Sequence, residues 1–199
     1  MSSELVVDGF RIEPLGPATW DAFADLAERH NGVWGGCWCV YFHVYPDPVE
    51  ERRALGNREF KHQLVLAGRA HAALVMDGDE AVAWAEFGPP EELPNIHHRK
   101  EWEQGLEQRP DYRITCLFVD RRYRRKGMAS VAVRGALALI AAEGGGLVES
   151  YPHDLPPGKK TSASFLYNAT RSMYEQLGFT YQRPKGKGNC VMTAQVPGR

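Results

Sequence analysis

Apolar and polar positions alternate with a period of two in Phe10-Arg11-Ile12-Glu13, the pattern of a half-buried strand. The period then changes. Over residues 18–30, Trp20, Phe23, Leu26 and Ala27 fall on one helical face behind Thr19 as a candidate cap. Residues 31–45 are dense in Gly, Trp, Cys and aromatic side chains without a steady period, which predicts a loop or irregular strand over the core, closed by Pro46 and Pro48. Residues 49–66 set charges between Leu55, Phe60, Leu64 and Leu66, which predicts one amphipathic helix ending near Gly68. Residues 71–76 and 80–87 predict a hairpin turned at Asp77-Gly78, a dipeptide suited to positive φ.

Three prolines between Gly88 and Pro94 make that stretch irregular, because they remove donors and restrict their predecessors. Beyond it, residues 114–119 form a compact apolar run. Charge follows, and then an Ala/Val/Leu-rich stretch over residues 128–142, ended by Gly144-Gly145-Gly146. That is the order of strand, loop and helix. Residues 147–151 return as a parallel strand with the helix as crossover, a βαβ unit. Residues 153–160, rich in Pro, Gly and Lys, predict a loop. Residues 164–177 predict a helix with Phe165, Met173 and Leu177 inward and Gly178 as its cap. Strands near 179–183 and 189–195, joined through 184–188, complete an α/β chain with no internal repeat.

Composition narrows the classes. At 199 residues and 43% hydrophobic content, one core and one domain spanning residues 1–199 suffice. With 24 basic against 25 acidic residues there is no global positive field to collect nucleic-acid phosphates, so no nucleic-acid partner is expected. The start of the chain has no basic region leading into an apolar stretch, and no window approaches membrane-span length. The expectation is a cytoplasmic protein without a membrane partner. Cys37, Cys39, Cys116 and Cys190 are too few and too irregularly spaced for a secreted disulfide framework, and read as reduced thiols.

The chemistry concentrates in residues 117–130, where basic residues and a glycine stand at the passage from strand to helix. Unpaired N–H groups and the positive end of the helix dipole face a ligand at such a point. Gly127 permits close backbone approach, so a pyrophosphate fits there. Rival phosphate motifs fail. There is no G-x-G-x-x-G after a strand, and in Gly158-Lys159-Lys160 the P-loop pattern breaks at Lys160 and at His153.

Arg124-x-x-Gly127-x-Ala129 resembles the acetyl-CoA signature R/Q-x-x-G-x-G/A of the GNAT superfamily of N-acetyltransferases. Tyr174-Glu175-Gln176-Leu177-Gly178-Phe179 resembles the superfamily's second signature, and Cys37-Trp38-Cys39-Val40-Tyr41 with Glu149-Ser150-Tyr151-Pro152 is similar to a group of bacterial members. The resemblance implies a central mixed, mostly antiparallel sheet with flanking helices. In it the strands at 114–119 and 147–151 splay to admit pantetheine. It further implies acetyl-CoA as cosubstrate, a primary amine acceptor, direct attack and, at the family level only, a homodimer. Backbone groups of Leu117, Phe118 and Val119 would then pair with pantetheine and polarise the thioester. Arg124, Arg125, Lys126, Gly127, Met128, Ala129 and Ser130 would hold the pyrophosphate.

Glu86, at the end of an apolar strand, and Glu149 are the candidate bases, or groups that only bind the amine. Tyr174 resembles the tyrosine that protonates the departing thiolate in this superfamily. A tyrosine at helical spacing from Met173 and Leu177 is also a core residue, and Asn168 lies one residue closer to it than the usual spacing. Glu86, Glu91, Glu92, Glu149 and Asp154 suggest an acidic mouth favouring a cationic amine. Two alternatives use the same scaffold, a non-catalytic acyl-CoA sensor and a protein-interaction domain. A zinc site from His30, Cys37, Cys39 and His43 is disfavoured by the tight Cys-x-Cys spacing, and the interleaved Trp34, Trp38, Tyr41 and Phe42 suit a hydrophobic plug or pocket wall better, so no metal is expected. Asn168-Ala169-Thr170 matches a glycosylation pattern inside a predicted helix and is set aside.

Overall fold

A computed structural model describes residues 4–45, 49–156 and 166–199. The period-two stretches become β1 (Val6–Val7), β2 (Phe10–Pro14), β3 (His71–Asp77) and β4 (Glu80–Gly88), and the hairpin between the last two turns at Gly78 with φ +61°. The apolar run after the proline loop becomes β5 (Tyr112–Val119), followed by β6 (Gly145–Ser150), β7 (Thr180–Lys185) and β8 (Asn189–Pro197). All eight join one sheet in the order β1-β2-β3-β4-β5-β6-β8-β7, antiparallel throughout except for the parallel pair β5 and β6.

Helices cover both faces. On one lies α5 (Met128–Ala142), whose Val131, Ala132, Val133, Ala136 and Ile140 pack on β3, β4 and β5 with α6 (Arg171–Gln176) beside it. The approach is close because α5 carries Gly135: a Cβ there would stand 2.9 Å from Ile12 Cγ2. On the other face α1 (Trp20–Glu28) and α3 (Asn57–Leu66) pack with the 31–45 loop around Phe23, Leu26, Trp84 and Phe118. Complete burial of side chains such as Leu26, Leu74, Ile114 and Ile140 contributes about 1.5–3 kcal/mol each.

Three expectations change. The helix predicted over 49–66 is two, α2 (Val49–Leu55) and α3, because Gly56 between them adopts φ +82° and interrupts the ladder. Leu66 is then 58% exposed while Lys61 is buried beside Phe60, Leu64 and Val65. The helix predicted over 164–177 shortens to α6, capped by Thr170 Oγ1 accepting from Met173 N, with residues 166–170 non-helical; Ser164 and Phe165 lie outside the described residues. So do Pro46, Pro48 and the Gly158-Lys159-Lys160 stretch. Residues 99–104, for which no element is predicted, form α4 (Arg99–Gln104) and bury Trp102.

The sheet opens at its parallel pair. β5 and β6 register only at Tyr112↔Val148, Arg113↔Glu149 and Ile114↔Ser150, so β5 runs on from Thr115 to Val119 with no β6 residue beside it. The opening begins at a bulge: Glu86 opposes Cys116 and Phe87 opposes Ile114, leaving Thr115 as the extra residue.

Candidate functional site

At the open edge of β5 a cleft of about 580 Å³ is lined by Leu117, Phe118, Val119, Arg124, Arg125, Gly127, Met128, Ala129 and Ser130, together with Met173 and Thr170. Nine of the ten residues expected from the sequence to bind the cofactor therefore share one wall. The tenth, Lys126, is not part of that lining, and its ammonium lies 5.2 Å from the centroid of the Tyr123 ring. Gly127 precedes α5 with φ +78°, and Arg125 also has positive φ, at +61°. This pair of turns sets the α5 N-terminus at the cleft. No heavy atom lies within 4 Å of a Cβ built on Gly127, so the space in front of it is open.

The turn leading into this loop is braced by Asp120. Its buried carboxylate accepts from Arg122 N at 2.8 Å and from Arg122 Nη2 at 2.8 Å, while Asp120 N donates to Val82 O at 2.9 Å. Bonding to Arg122 outweighs burial and holds the Asp120 carboxyl down at about 2. Asp120 therefore stays charged at neutral pH and ties residues 121–123 to β4. The backbone alternates along β5, so the N–H groups of Leu117 and Val119 face the open edge. That of Leu117 is taken: it donates to Tyr167 O at 2.6 Å.

Across Trp34, Phe118 and Arg124 lies a second, larger chamber of about 700 Å³. Its walls are Cys37, Cys39, Tyr41 and Phe42 from the 31–45 loop, Cys116 and Phe118 from β5, and His30, His97, Arg121 and Tyr167. The irregular aromatic stretch is thus a pocket wall. Cys39 Sγ and Cys116 Sγ stand 2.7 Å apart in it, two thiols from distant parts of the chain. Burial pushes both up, so each stays a neutral thiol.

Among the described residues no Asp or Glu lines this chamber, in place of the acidic mouth expected from the sequence. Glu91 pairs with Arg109 at 2.6 Å, Glu92 with His71 at 2.9 Å and Asp154 with Arg171 at 3.5 Å. Glu86 is buried beneath the chamber floor. It accepts from Lys61 Nζ at 2.7 Å and from Thr115 Oγ1 at 2.8 Å, and His43 Nε2 lies 3.1 Å from it. Burial raises the Glu86 carboxyl, but Lys61 and His43 together bring it down to about 2. Burial and Lys61 push His43 down, so His43 is a neutral ring whose Nε2 lies between the Lys61 ammonium, at 2.9 Å, and a permanent carboxylate.

Glu149 is buried too, accepting from Trp102 Nε1 and Tyr151 Oη at 2.7 Å each, and burial pushes its carboxyl up. Tyr174 lies in the core beneath α5 with its ring edge on Phe179. That is the face of the sheet opposite to the one packed by Cys39, Cys116 and Phe118. Burial pushes its hydroxyl up against a smaller opposing pull from nearby Ser150, and the oxygen makes no hydrogen bond of good geometry. None of Glu86, Glu149 and Tyr174 lines the cleft or the chamber. Tyr167 and His97 do line the chamber, and sequence reasoning missed both: Tyr167 lies inside the stretch read as a helix over 164–177, and His97 follows the proline loop.

Three of the four residues weighed as zinc ligands are engaged separately. His30 Nδ1 pairs with Leu26 O, Cys39 with Cys116, and His43 with Glu86. Among the described residues no three His, Cys, Asp or Glu side chains are grouped as a metal would need. Nor is any helix among them long and apolar enough to cross a membrane.

Comparison with known proteins adds a family to this geometry. The sequence profile of the Acetyltransferase (GNAT) family matches residues 24–154. A GNAT-family acetyltransferase from Streptococcus agalactiae superposes with a TM-score of 0.52 at 12% identity, covering 98% of this chain and 99% of its own. A structure described as histone acetyltransferase HPA2 and related acetyltransferase, from Corynebacterium glutamicum, gives 0.51 at 16% identity, covering 94% and 96%. An aminoglycoside 6'-N-acetyltransferase complexed with coenzyme A gives 0.50 at 16% identity, covering 94% and 98%. At these identities the superpositions speak to the fold. No curated protein matches the sequence.

Proposed function

The chain belongs to the Acetyltransferase (GNAT) family, and from that premise we propose that it moves an acetyl group from acetyl-CoA to a primary amine by direct attack. The observation that carries this reading is the adjacency of two cavities across Phe118, Trp34 and Arg124 at the open edge of β5. One is built for an anion and the other for an apolar acceptor. The N–H groups at the start of α5, with Arg124 and Arg125, would hold the pyrophosphate. The superposed aminoglycoside acetyltransferase, which was solved with coenzyme A, is consistent with that use of the fold. Acetyl-CoA supplies the activated acyl carbon; the protein supplies position, polarisation and proton movement.

Those tasks fall to groups facing the opening. Val119 N–H, and Leu117 N–H once Tyr167 releases it, point to where the pantetheine arm and thioester oxygen would lie. As the C–N bond forms and the C–S bond breaks, one proton leaves the amine and one goes to the thiolate. We assign delivery to Tyr167 rather than Tyr174, because Tyr167 lines the chamber and burial pushes its hydroxyl up, so it stays protonated. We assign acceptance to His97 on the chamber rim, paired through Nδ1 with Tyr41 Oη at 3.2 Å. Burial, with Lys185 and His98, pushes His97 down and leaves it neutral at pH 7. Glu86 and Glu149 then act as positioning residues, holding the chamber floor through His43 and Lys61 and the α4 side through Trp102.

The test is thiol release from acetyl-CoA across a panel of primary amines, with Gly127→Glu as the cofactor-site control and thermal shift in parallel. Amine-dependent release lost in the variant is the expected outcome. Stabilisation by acetyl-CoA with no turnover on any amine would replace the transferase with an acyl-CoA sensor, and absence of both signals would overturn cofactor binding itself.

A further inference from the structure

A small hollow adjoins the chamber. Its walls share Phe42, His97 and Tyr167 with the chamber and add Tyr151, Asn168, Asn189 and Lys185. The cleft shares a different set of wall residues with the chamber, Trp34, Phe118 and Arg124. The hollow holds about 10 Å³, room for one water-sized group.

Two side chains in its wall have no hydrogen-bonding or ion-pair partner at the head of the side chain among the described residues. Lys185 is 3% exposed, and its ammonium stands 4.6 Å from the centroid of the Tyr151 ring with no ion-pair partner among the described residues. The carboxylate of Glu149 is already committed to Trp102 and Tyr151, and that of Glu101 to Gly186 N. Asn168 is also 3% exposed, and its Oδ1 has no hydrogen-bond partner. A buried cation without a counter-ion and a buried amide without a partner are each unfavourable until something is bound between them.

We propose that this hollow is a carboxylate subsite, so that the acceptor is an amino acid or similar amine whose carboxylate sits on Lys185 while its apolar side chain fills the chamber. This rests on the transferase reading for the amine, but not for the carboxylate. Lys185 supplies the charge. Asn168 offers its NH2 after a flip of the amide, and the Tyr151 ring keeps the ammonium aimed. Burial brings Lys185 down to about 8, opposed by Glu149 and helped by Arg113, so it remains mostly protonated at pH 7. The chamber agrees: among the described residues its charged and titratable lining comprises His30, His97, Arg121, Arg124, cysteines and tyrosines, with no carboxylate.

The experiment has one arm without chemistry and one with it. Phenylacetate and phenylacetamide, which share a ring but differ in charge, are titrated calorimetrically into the full chain saturated with coenzyme A. Phenylacetate should bind on the order of 10-fold tighter or more, and Lys185→Met should abolish that preference while Lys185→Arg keeps part of it. Stabilisation by coenzyme A in each variant reports that it is folded. In the second arm, phenylalanine should exceed 2-phenylethylamine in kcat/KM through a lower KM, and Lys185→Met should erase the ratio. Equal binding of phenylacetate and phenylacetamide to the parent protein, or equal weakening of both by Lys185→Met, overturns the subsite. Preferential phenylacetate binding without turnover of any amine keeps the subsite and removes the transferase; turnover of both amines without that preference does the reverse.

Discussion

The cofactor cleft and the acceptor chamber share three wall residues but are built by different means. The cleft takes most of its lining from one run, residues 117–130, and what it offers a ligand is backbone: the free edge of β5 and the N–H groups that begin α5. The chamber gathers side chains from residues 30–42, from His97, from β5, from the turn at Arg121 and from Tyr167. Backbone groups are the same in every sequence, so a site made of them tolerates drift in most side chains. It requires only the geometry that Gly127 at φ +78° permits. A site made of side chains changes with each substitution. This predicts that cofactor use is the conservative property of the molecule and acceptor choice the variable one.

The largest expected effect lies under the chamber. Lys61→Met leaves Glu86 buried and charged beside a neutral His43, which should cost about 3–5 kcal/mol in denaturant unfolding. Adding Glu86→Gln should recover much of it, and a single variant costing less than about 1 kcal/mol would mean that the cluster does not organise that side. Acid tests the same cluster. The folded Glu86 carboxyl is near 2 against an ordinary 4.5, a depressed value, so its stabilisation is complete above the unfolded value and lost as pH falls from 4.5 toward 2. That loss amounts to about 3 kcal/mol. Unfolding curves for Glu86→Gln over this range should lack it.

On the cleft side, Gly127→Glu forces a positive φ on a side chain and places a carboxylate at the anion site. Coenzyme A affinity should fall by about 100-fold or more, roughly 2.7 kcal/mol, by calorimetry. Tyr167→Phe should separate the two regions most cleanly. It should lower kcat by about 10- to 100-fold with coenzyme A affinity retained; loss of affinity instead would place the Tyr167 ring in cofactor binding. Tyr174→Phe is the smallest. Removing a buried hydroxyl that makes no hydrogen bond of good geometry should change stability by no more than about 1 kcal/mol and leave turnover at the parental rate. A large fall in kcat would restore Tyr174 as the proton donor.

The same contrast explains what the sequence disclosed. Sheet, crossover helix and cleft were legible because Ile114, Leu117, Val131 and Ile140 carry the periods of buried strand and helix and because Arg124-x-x-Gly127-x-Ala129 is contiguous. The carboxylates were legible as residues but not as environments. Glu86 stands at the end of an apolar strand in the sequence, yet Thr115 at the β5 bulge and Lys61 from α3 both donate to it. Lys61 falls among the charges of the helix read over 49–66, but in α3 it stands beside Phe60 and one turn before Leu64 and Val65, on the face that is buried. Tyr167, His97 and Lys185 meet through contacts between segments far apart in the chain, for which no local period leaves a trace.

The hydrogen bond from Leu117 N–H to Tyr167 O has a kinetic consequence. The unliganded chain satisfies with its own carbonyl the donor that an incoming pantetheine amide would use, so loading the carrier is an exchange of one acceptor for another. The observed association rate should then rise with carrier concentration only until the release of Tyr167 becomes limiting, and level off there. At the end of a turnover the same carbonyl competes for Leu117 again, so the residue that gates entry also hastens departure of the spent carrier.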